Sequence, residues 1–138
     1  MQFGLMTRGQ FHAGDDMQLR FRELMEQARL ADKLGFASLT KGSHYSAHPY
    51  QDFQQLPYLA RVAAEAPNLR VNAGIVLVPL HKPMYLAEQL ATLDVMTNGK
   101  LIFGAGLGYR DVEFKGFGTT PRQKVRRFEE GIEAIKRL

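Results

Sequence analysis

Apolar residues recur along the chain in two alternating arrangements: short, nearly continuous runs, and longer stripes whose members lie three or four positions apart. A short run rich in β-branched residues predicts a strand buried on both faces, whereas the wider spacing predicts an amphipathic helix. Strands are predicted at 2–7, 36–40, 71–78 and 101–104. Helices are predicted from Asp15 to Gly35, over 56–65, from Pro83 to Asn98, and from Thr120 onward. Each predicted strand is therefore followed by a helix.

Polar and glycine-rich segments separate these elements. The segment 41–54, rich in His, Ser, Pro and Gln, follows the second strand, and a loop that runs from Gly106 to Gly118 follows the fourth. The pair Asp15-Asp16 is typical of a helix start, and the pair Asn98-Gly99 is typical of a helix end. No composition shift or internal repeat divides the chain, so residues 1–138 are treated as one unit.

The alternation of strands and helices predicts a parallel sheet with right-handed crossovers. Two architectures fit this pattern: a small doubly wound sheet, and part of a (β/α)8 barrel. The length of 138 residues favours the first. A complete barrel takes about 250 residues, whereas a doubly wound domain is complete at the smaller size. The pattern of apolar residues alone leaves both architectures open.

Composition narrows the class of protein. With 138 residues, 45% hydrophobic residues, a net charge of +4 and no cysteine, the chain is typical of one soluble domain or a piece of a larger one. Disordered, collagen-like and disulfide-stapled proteins have other compositions and are excluded. The lack of cysteine also excludes a thiolate nucleophile and a cysteine-ligated metal, and it favours a cytoplasmic location.

Membranes and nucleic acids are not predicted as partners. The first residues lack the pattern of a secretory signal, so we expect no export. The longest apolar stretch, 71–80, is about half as long as a membrane-spanning helix must be. The basic residues of the last helix alternate with glutamates, which indicates a solvated face rather than a surface for nucleic acid.

A run of glycines, Gly104-Ala105-Gly106-Leu107-Gly108-Tyr109, follows the fourth strand. It does not fit the dinucleotide-binding motif, because Tyr109 stands where G-x-G-x-x-G requires its third glycine and no helix begins directly. Glycines allow the backbone to approach a flat ligand, so the run predicts either such a surface or merely a tight exit from the strand. Gly74 interrupts the third strand, which predicts a bulge or a close backbone approach there.

His44 follows the second strand, and His48 lies four residues further on. A metal site is not predicted, because glycine and proline place both histidines in a loop and no glutamate stands between them. The carboxyl ends of parallel strands carry the chemistry of many α/β proteins, so His44 is a candidate for proton transfer or for orienting a substrate. The alternative is an ordinary surface histidine. His12 and His81 have no partner pattern and are interpreted as structural.

Several segments of the chain together resemble one known family. They read Ala31-Asp32-Lys33-Leu34-Gly35-Phe36, Ser43-His44-Tyr45, Gly74-Ile75-Val76-Leu77, and Asn98-Gly99-Lys100-Leu101-Ile102-Phe103-Gly104-Ala105-Gly106-Leu107-Gly108-Tyr109. This colinear set runs over essentially the whole chain and resembles the bacterial-luciferase-like, flavin-dependent monooxygenases. Ser43 and Tyr45 stand where that family often has Glu and His.

The resemblance implies a (β/α)8 barrel of which this chain covers the N-terminal half, about the first four β/α units. It implies an oxidoreductase that uses O₂ and reduced FMN, supplied by a flavin reductase, on a small organic substrate, with the deazaflavin F420 as the alternative cofactor. His44 matches the family's active-site histidine. Gly74 and Ile75 match a bulge, often with a non-proline cis peptide, against which the flavin ring rests. Gly106 and Leu107 would lie beside the same ring.

Half a barrel has consequences for assembly. It has an unpaired strand edge on each side and an inward-facing apolar layer that its own elements do not cover. We therefore expect the chain to be shortened relative to a protein of about 300 residues, by analogy with barrel sizes. We also expect it to form a homodimer or to pair with a C-terminal half. A noncatalytic subunit and an F420-dependent oxidoreductase are the alternative functions.

Overall fold

In residues 1–7 and 9–138, which the computed structural model describes, the chain forms six strands and five α-helices. In order they are β1 (Gly4–Met6), β2 (Gln10–His12), α1 (Met17–Lys33), β3 (Ser38–Lys41), β4 (Tyr50–Asp52), α2 (Gln55–Glu65), β5 (Arg70–Leu77), α3 (Pro83–Met96), β6 (Leu101–Gly106), α4 (Asp111–Gly116) and α5 (Lys124–Arg137). Short 3₁₀ turns, Val78–Leu80 and Pro121–Gln123, precede α3 and α5. Arg8, which follows the first predicted strand, lies outside the described residues. None of the described helices combines the length and apolar character that crossing a membrane requires.

The four predicted strand–helix pairs are confirmed, and two further features are new. Strand β4 lies in the segment 41–54 that was predicted as a loop, and β2 lies between the first predicted strand and the first predicted helix, where no element was predicted. The two strands pair antiparallel with each other, and this two-stranded sheet is called the rim ribbon. Helix α4 lies within the glycine-rich loop that was predicted to have no regular structure. Strands of three residues and a helix of six are too short for a hydrophobic period to show in the sequence.

The strand order of the main sheet decides between the two predicted architectures. Strands β1, β3, β5 and β6 are all parallel, and each pairs with the next of them along the chain. Right-handed crossovers between successive neighbours in one direction place all connecting helices on the same face, as in a barrel wall. A doubly wound sheet reverses direction at a switch point and carries helices on both faces. The doubly wound alternative is therefore wrong.

The main core lies between this sheet and helices α1, α2 and α3. Leu39, Val71 and Ala73 point from neighbouring strands toward the helices, and all three are fully buried. The helices contribute one apolar stripe each: Leu24, Met25, Ala28 and Ala31 from α1, Tyr58, Leu59 and Val62 from α2, and Leu86, Leu90 and Leu93 from α3. This packing holds the carboxyl ends of the four parallel strands at one edge of the sheet.

The opposite face of the sheet is open in the part of the chain that the structure describes. Met6, Thr40 and Asn72 form one row across β1, β3 and β5, and Met6 is 70% exposed. The amide Nδ2 of Asn72 donates a hydrogen bond to Oγ1 of Thr40 at 3.0 Å. The inward-facing layer, expected to be apolar, is therefore partly polar. Among the same residues, β1 and β6 each keep one edge without a paired strand, as expected of half a barrel.

Candidate functional site

The residues that the sequence singled out lie toward the carboxyl ends of the parallel strands. His44 follows β3, and Gly74 and Ile75 lie in the second half of β5. Gly106 ends β6, and Leu107 follows it with 36% of its surface exposed. Because parallel strands end at a common edge of the sheet, all five residues lie at that edge.

Gly74 and Ile75 form an irregularity in β5. The peptide bond between them is cis, and the pairing with β6 shifts in register between Gly74 and Val76. The bulge and the cis peptide expected at this position are therefore present. Ile75 is 45% exposed, and its side chain lies against Gly106, where a Cβ would collide with it. Gly74, Ile75 and Gly106 consequently form one patch, called the glycine patch, with a single apolar side chain.

A cleft of about 540 Å³ opens at the ends of β1 and β3. It is lined by Met6, Thr7, Gly9, Gln10, His12, Lys41, Gly42, His44, Tyr50 and Asp52. The rim ribbon supplies four of these residues and so forms one wall. Gly42 connects the cleft to the glycine patch, because a Cβ on it would stand 3.9 Å from the carbonyl oxygen of Gly74. The cleft contains His44, whereas Gly106 and Leu107 do not line it.

His44 presents part of its ring to the cleft and buries the rest. Its side chain is 33% exposed, while Nδ1 is buried and has no hydrogen-bond partner among the described residues. Oε1 of Glu113 lies 3.6 Å from this Nδ1, just beyond hydrogen-bonding distance. A carboxylate next to Nδ1 favours the tautomer with its proton on that nitrogen, which leaves Nε2 as the acceptor nitrogen of the ring.

Glu113 and Arg110 tie the loop that carries His44 to α4. The side chain of Glu113 is 1% exposed, and its Oε1 accepts hydrogen bonds from the backbone N–H of Tyr45 at 3.0 Å and from Nη1 of Arg110 at 3.2 Å. Arg110 also donates to the carbonyl oxygens of Tyr45 at 2.8 Å and Ser46 at 3.1 Å. A buried carboxylate needs several donors, and here those donors fix the backbone that follows His44.

A buried ion pair lines the same cleft. Nζ of Lys41 donates to Oδ1 of Asp52 at 2.8 Å, and the two side chains are 1% and 3% exposed. Burial raises the pKa of Asp52, and the hydrogen bond and charge of Lys41 offset part of that effect. A buried pair of opposite charges therefore lies in the wall of the cleft that contains His44.

Tyr45, His81 and Phe117 form an aromatic cluster beside the His44 loop. The hydroxyl of Tyr45 lies 3.3 Å from Nε2 of His81. The ring centroid of Phe117 is 4.6 Å from that of Tyr45 and 5.6 Å from that of His81. Burial raises the pKa of Tyr45 and lowers the pKa of His81, so the cluster favours the neutral form of both rings.

The lowered pKa of His81 predicts a loss of stability in mild acid. The unfolded chain takes up this proton near the ordinary histidine pKa of about 6.5, and the folded chain does so only at lower pH, so acid favours unfolding. We expect the free energy of unfolding, measured in urea, to fall from about pH 7.5 to about pH 5.5, and to fall less in His81→Gln. The exposed His48, replaced by Gln, is the control. A full pH dependence in the His81 variant would contradict the prediction.

Three residues of the site, Lys41, Asp52 and Glu113, were not predicted from the sequence. Lys41 was assigned to the segment 41–54, whereas β3 extends to it and buries it on the same face as Leu39, where a lysine needs an acidic partner. Asp52 and Glu113 lie in segments predicted as loops, and spacing alone could not assign either as a partner. His12, interpreted as structural from the sequence, also lines the cleft.

The chain is similar over its whole length to one family of proteins. The family described as luciferase-like monooxygenase matches residues 1–138. Limonene 1,2-monooxygenase from Rhodococcus erythropolis is 29% identical over 138 residues, which are 100% of this chain and 36% of that protein. The chain spans roughly a third of the length of the curated relatives it matches first.

Solved structures show the same fold. Monooxygenase RslO1 from Streptomyces bottropensis is 33% identical and superposes with a TM-score of 0.91, covering 99% of this chain and 42% of that one. The oxygenating constituent of 3,6-diketocamphane monooxygenase from Pseudomonas putida, solved in complex with FMN, is 19% identical with a TM-score of 0.87 over 99% of this chain and 39% of that one. At that lower identity the likeness concerns the fold alone. The described residues accordingly form part of a (β/α)8 barrel, as predicted.

Proposed function

Because the chain belongs to the luciferase-like monooxygenase family, we propose that residues 1–138 supply the N-terminal half of a flavin-dependent monooxygenase barrel. The proposed reaction is oxygenation of a small organic substrate. The observation that carries this proposal is the glycine patch at the strand ends, with His44 in the cleft that adjoins it across Gly42. The chain covers 42% of RslO1, so the remaining strands and helices of such a barrel would complete the site.

The glycine patch fits a flat, largely apolar ring such as that of FMN. Ile75 offers an exposed apolar side chain, and Gly74 and Gly106 have no side chain that would hold a ring away from the backbone. We propose that these three residues and Leu107 contact the ring. Membership of the luciferase-like monooxygenase family motivates this choice of cofactor, and a Pseudomonas putida protein of the same fold was solved in complex with FMN. When bound in its reduced form, FMN supplies the electrons for the reaction with O₂.

His44 is proposed as the residue that holds or moves a proton in the cleft. Its Nδ1 faces the carboxylate of Glu113 at 3.6 Å, so Nε2 is the nitrogen available to a ligand. A neutral imidazole with its proton on Nδ1 accepts a further proton at Nε2, and the resulting imidazolium returns it, which is general acid–base catalysis. Glu113 accepts a hydrogen bond from the backbone N–H of Tyr45, and Arg110 donates one to the carbonyl oxygen of Tyr45; the two bonds keep the ring in place during the transfer.

The partners belong to the same proposal. A substrate that occupies the cleft fits within about 540 Å³, and a flavin reductase would supply the reduced FMN. We propose a cytoplasmic location, because a chain without cysteine suits a reducing compartment. F420 in place of FMN, and a noncatalytic subunit in place of an enzyme, are the alternatives that the binding experiment distinguishes.

FMN binding by a chimera tests the proposed function. In the chimera this chain replaces the matching part of RslO1, which is a suitable host because 99% of this chain superposes on it with a TM-score of 0.91. We expect the chimera to change the fluorescence of added FMN, whereas the chain alone binds FMN weakly or not at all because half of the site is absent. RslO1 itself is measured in parallel.

Two variants sharpen the FMN experiment. Gly106→Leu is expected to weaken FMN binding, because the new side chain displaces Ile75 and covers the glycine patch. Gly116→Leu is the control, since its Cβ position has no described heavy atom within 4 Å apart from its chain neighbours and the backbone of its own helix. A chimera that is folded by circular dichroism and binds neither FMN nor F420 would contradict the proposed enzyme and favour a noncatalytic subunit. Binding of F420 alone would establish the alternative cofactor.

Self-association of the chain is a further part of the proposal. The free edges of β1 and β6 and the open face, where Met6 is 70% and Ile75 45% exposed, leave hydrogen-bonding groups and apolar surface without partners in the described residues. We expect light scattering on the purified chain to show a dimer or larger species at micromolar concentration. A compact monomer would be the contrary result.

A further inference from the structure

Several segments of the chain meet at the ion pair of Lys41 and Asp52. Lys41 ends β3, and Asp52 ends the second strand of the rim ribbon. Besides its bond to Asp52, Nζ of Lys41 donates to the carbonyl oxygen of Gly42 at 3.1 Å. Gln55, the first residue of α2, donates from Nε2 to the carbonyl oxygens of Lys41 at 2.6 Å and Ile75 at 3.4 Å. The pair and its neighbours thus connect the ribbon, the His44 loop, α2 and β5.

The absence of a side chain at Gly9 makes room for the ion pair. A Cβ at this position would stand 2.6 Å from Nζ of Lys41 and 2.8 Å from Oδ1 of Asp52, closer than real Cβ atoms come to such neighbours. Gly14, on the same connection between β1 and α1, has no described heavy atom within 4 Å of its Cβ position apart from its two chain neighbours. Gly14 is therefore a matched position without the constraint that acts on Gly9.

The ion pair of Lys41 and Asp52 restricts the position of the rim ribbon in a way that two apolar side chains would not. Two apolar side chains of similar size would fill the space at lower cost, because each buried ion loses its hydration. A charge-assisted hydrogen bond adds direction, since the short distance between Nζ and Oδ1 is met only in a narrow range of ribbon positions. The ribbon carries His12 and Tyr50 into the cleft wall, and His44 follows Lys41 closely in the chain. Fixing the pair fixes both the wall and the histidine.

We propose that Lys41 and Asp52 are positioning residues, which hold the rim ribbon and the His44 loop in the arrangement that a cleft ligand requires. They act through His44, His12 and Tyr50 rather than by touching a ligand, because their own side chains are 1% and 3% exposed. This inference deepens the proposed function and rests on the proposed function for the nature of the reaction. Its test uses the full chain without flavin.

NMR of the His44 ring provides the test. Its ¹H–¹³C cross-peak, assigned with His44→Gln, is expected to shift or split in Gly9→Ala and in the double variant Lys41→Met with Asp52→Leu. The double variant leaves no unpaired buried ion and is expected to fold. If the double variant does not fold, Gly9→Ala, which keeps both charges, tests the proposal by itself. Gly14→Ala is expected to leave the peak in place. A peak that stays unmoved in the folded variants would show that the pair only fills space, and the proposal would be wrong.

Cleavage by chymotrypsin provides a second readout. The rate of cleavage follows the fraction of time for which a segment is locally unfolded. Displacement of the ion pair in Gly9→Ala is therefore expected to raise the rate of cleavage at Tyr50 about tenfold. The rate at the buried Tyr58 of α2 is expected to stay nearly unchanged. Equal increases at both tyrosines would indicate a general loss of stability and overturn the proposal. These results are independent of FMN binding by the chimera, so failure of one proposal is distinguishable from failure of the other.

Discussion

Replacing Lys41 by methionine is expected to lower the free energy of unfolding by about 3 to 5 kcal/mol. The substitution leaves the carboxylate of Asp52 without its cation, and water cannot replace the cation because this side chain is only 3% exposed. An uncompensated buried charge is among the few single defects that cost this much. Urea unfolding at neutral pH, followed by circular dichroism, measures the loss.

An exposed ion pair provides the matched control for Lys41. Arg126 and Glu130 lie 3.6 Å apart on α5, with 71% and 65% of their side chains exposed. Exposed pairs contribute little, so Arg126→Ala is expected to change the free energy of unfolding by less than about 0.5 kcal/mol. Losses of equal size in the two variants would contradict the burial of Lys41 and Asp52.

The loss caused by Lys41→Met is also expected to depend on pH. Burial raises the pKa of Asp52, so the folded chain holds this proton more tightly than the unfolded chain does. The contribution of Asp52 to stability is therefore complete below the ordinary carboxyl pKa of about 3.9 and declines as the pH rises through the raised pKa. Lys41 offsets this decline, so its removal is expected to cost more at about pH 7 than at about pH 4. An equal loss of stability at the two pH values would contradict this explanation.

Truncating Phe114 to alanine is expected to lower the free energy of unfolding by about 3 to 5 kcal/mol. Phe114 is 1% exposed and packs in a small cluster with Leu77 and Leu80, against which Tyr45 also lies. Removing the ring leaves a cavity under α4 and takes away the apolar contact that holds this six-residue helix on the sheet. The same urea titration measures the loss.

The Phe114 variant is also expected to affect the site through α4. Arg110 and Glu113 hold the His44 loop, so a loosened helix should shift the ring cross-peak of His44 in NMR. Val112→Ala is the control on the same helix, because Val112 is 46% exposed and is expected to change stability by less than about 0.5 kcal/mol. A Phe114 variant as stable as the Val112 variant would show that the cluster is not a packed core.

The barrel wall was predictable because its elements are long enough to show a hydrophobic period. The stripe Leu24, Ala28 and Ala31 repeats at helical spacing, and the segment 71–78 is an almost unbroken β-branched run. The candidate site was predictable in part, since the glycines and His44 follow strands whose carboxyl ends must meet at one edge. The rim ribbon and α4 were not predictable, because they hold their shape through tertiary contacts rather than through a pattern of their own.

The sequence by itself determined the order of strands and helices, the faces that they bury, and the ends of strands at which His44 and the glycines lie, since these features follow from local propensity and from spacing along the chain. Only the tertiary structure decided the rest. The pattern of apolar residues had left the barrel wall and the doubly wound sheet open, and the strand order established the barrel wall that the family resemblance implied. Folding also brought Asp52 to Lys41 and Glu113 to the loop of His44. The physical reason is that pairing between distant segments depends on the path of the whole chain, and a single charged residue carries no local mark of the partner it meets.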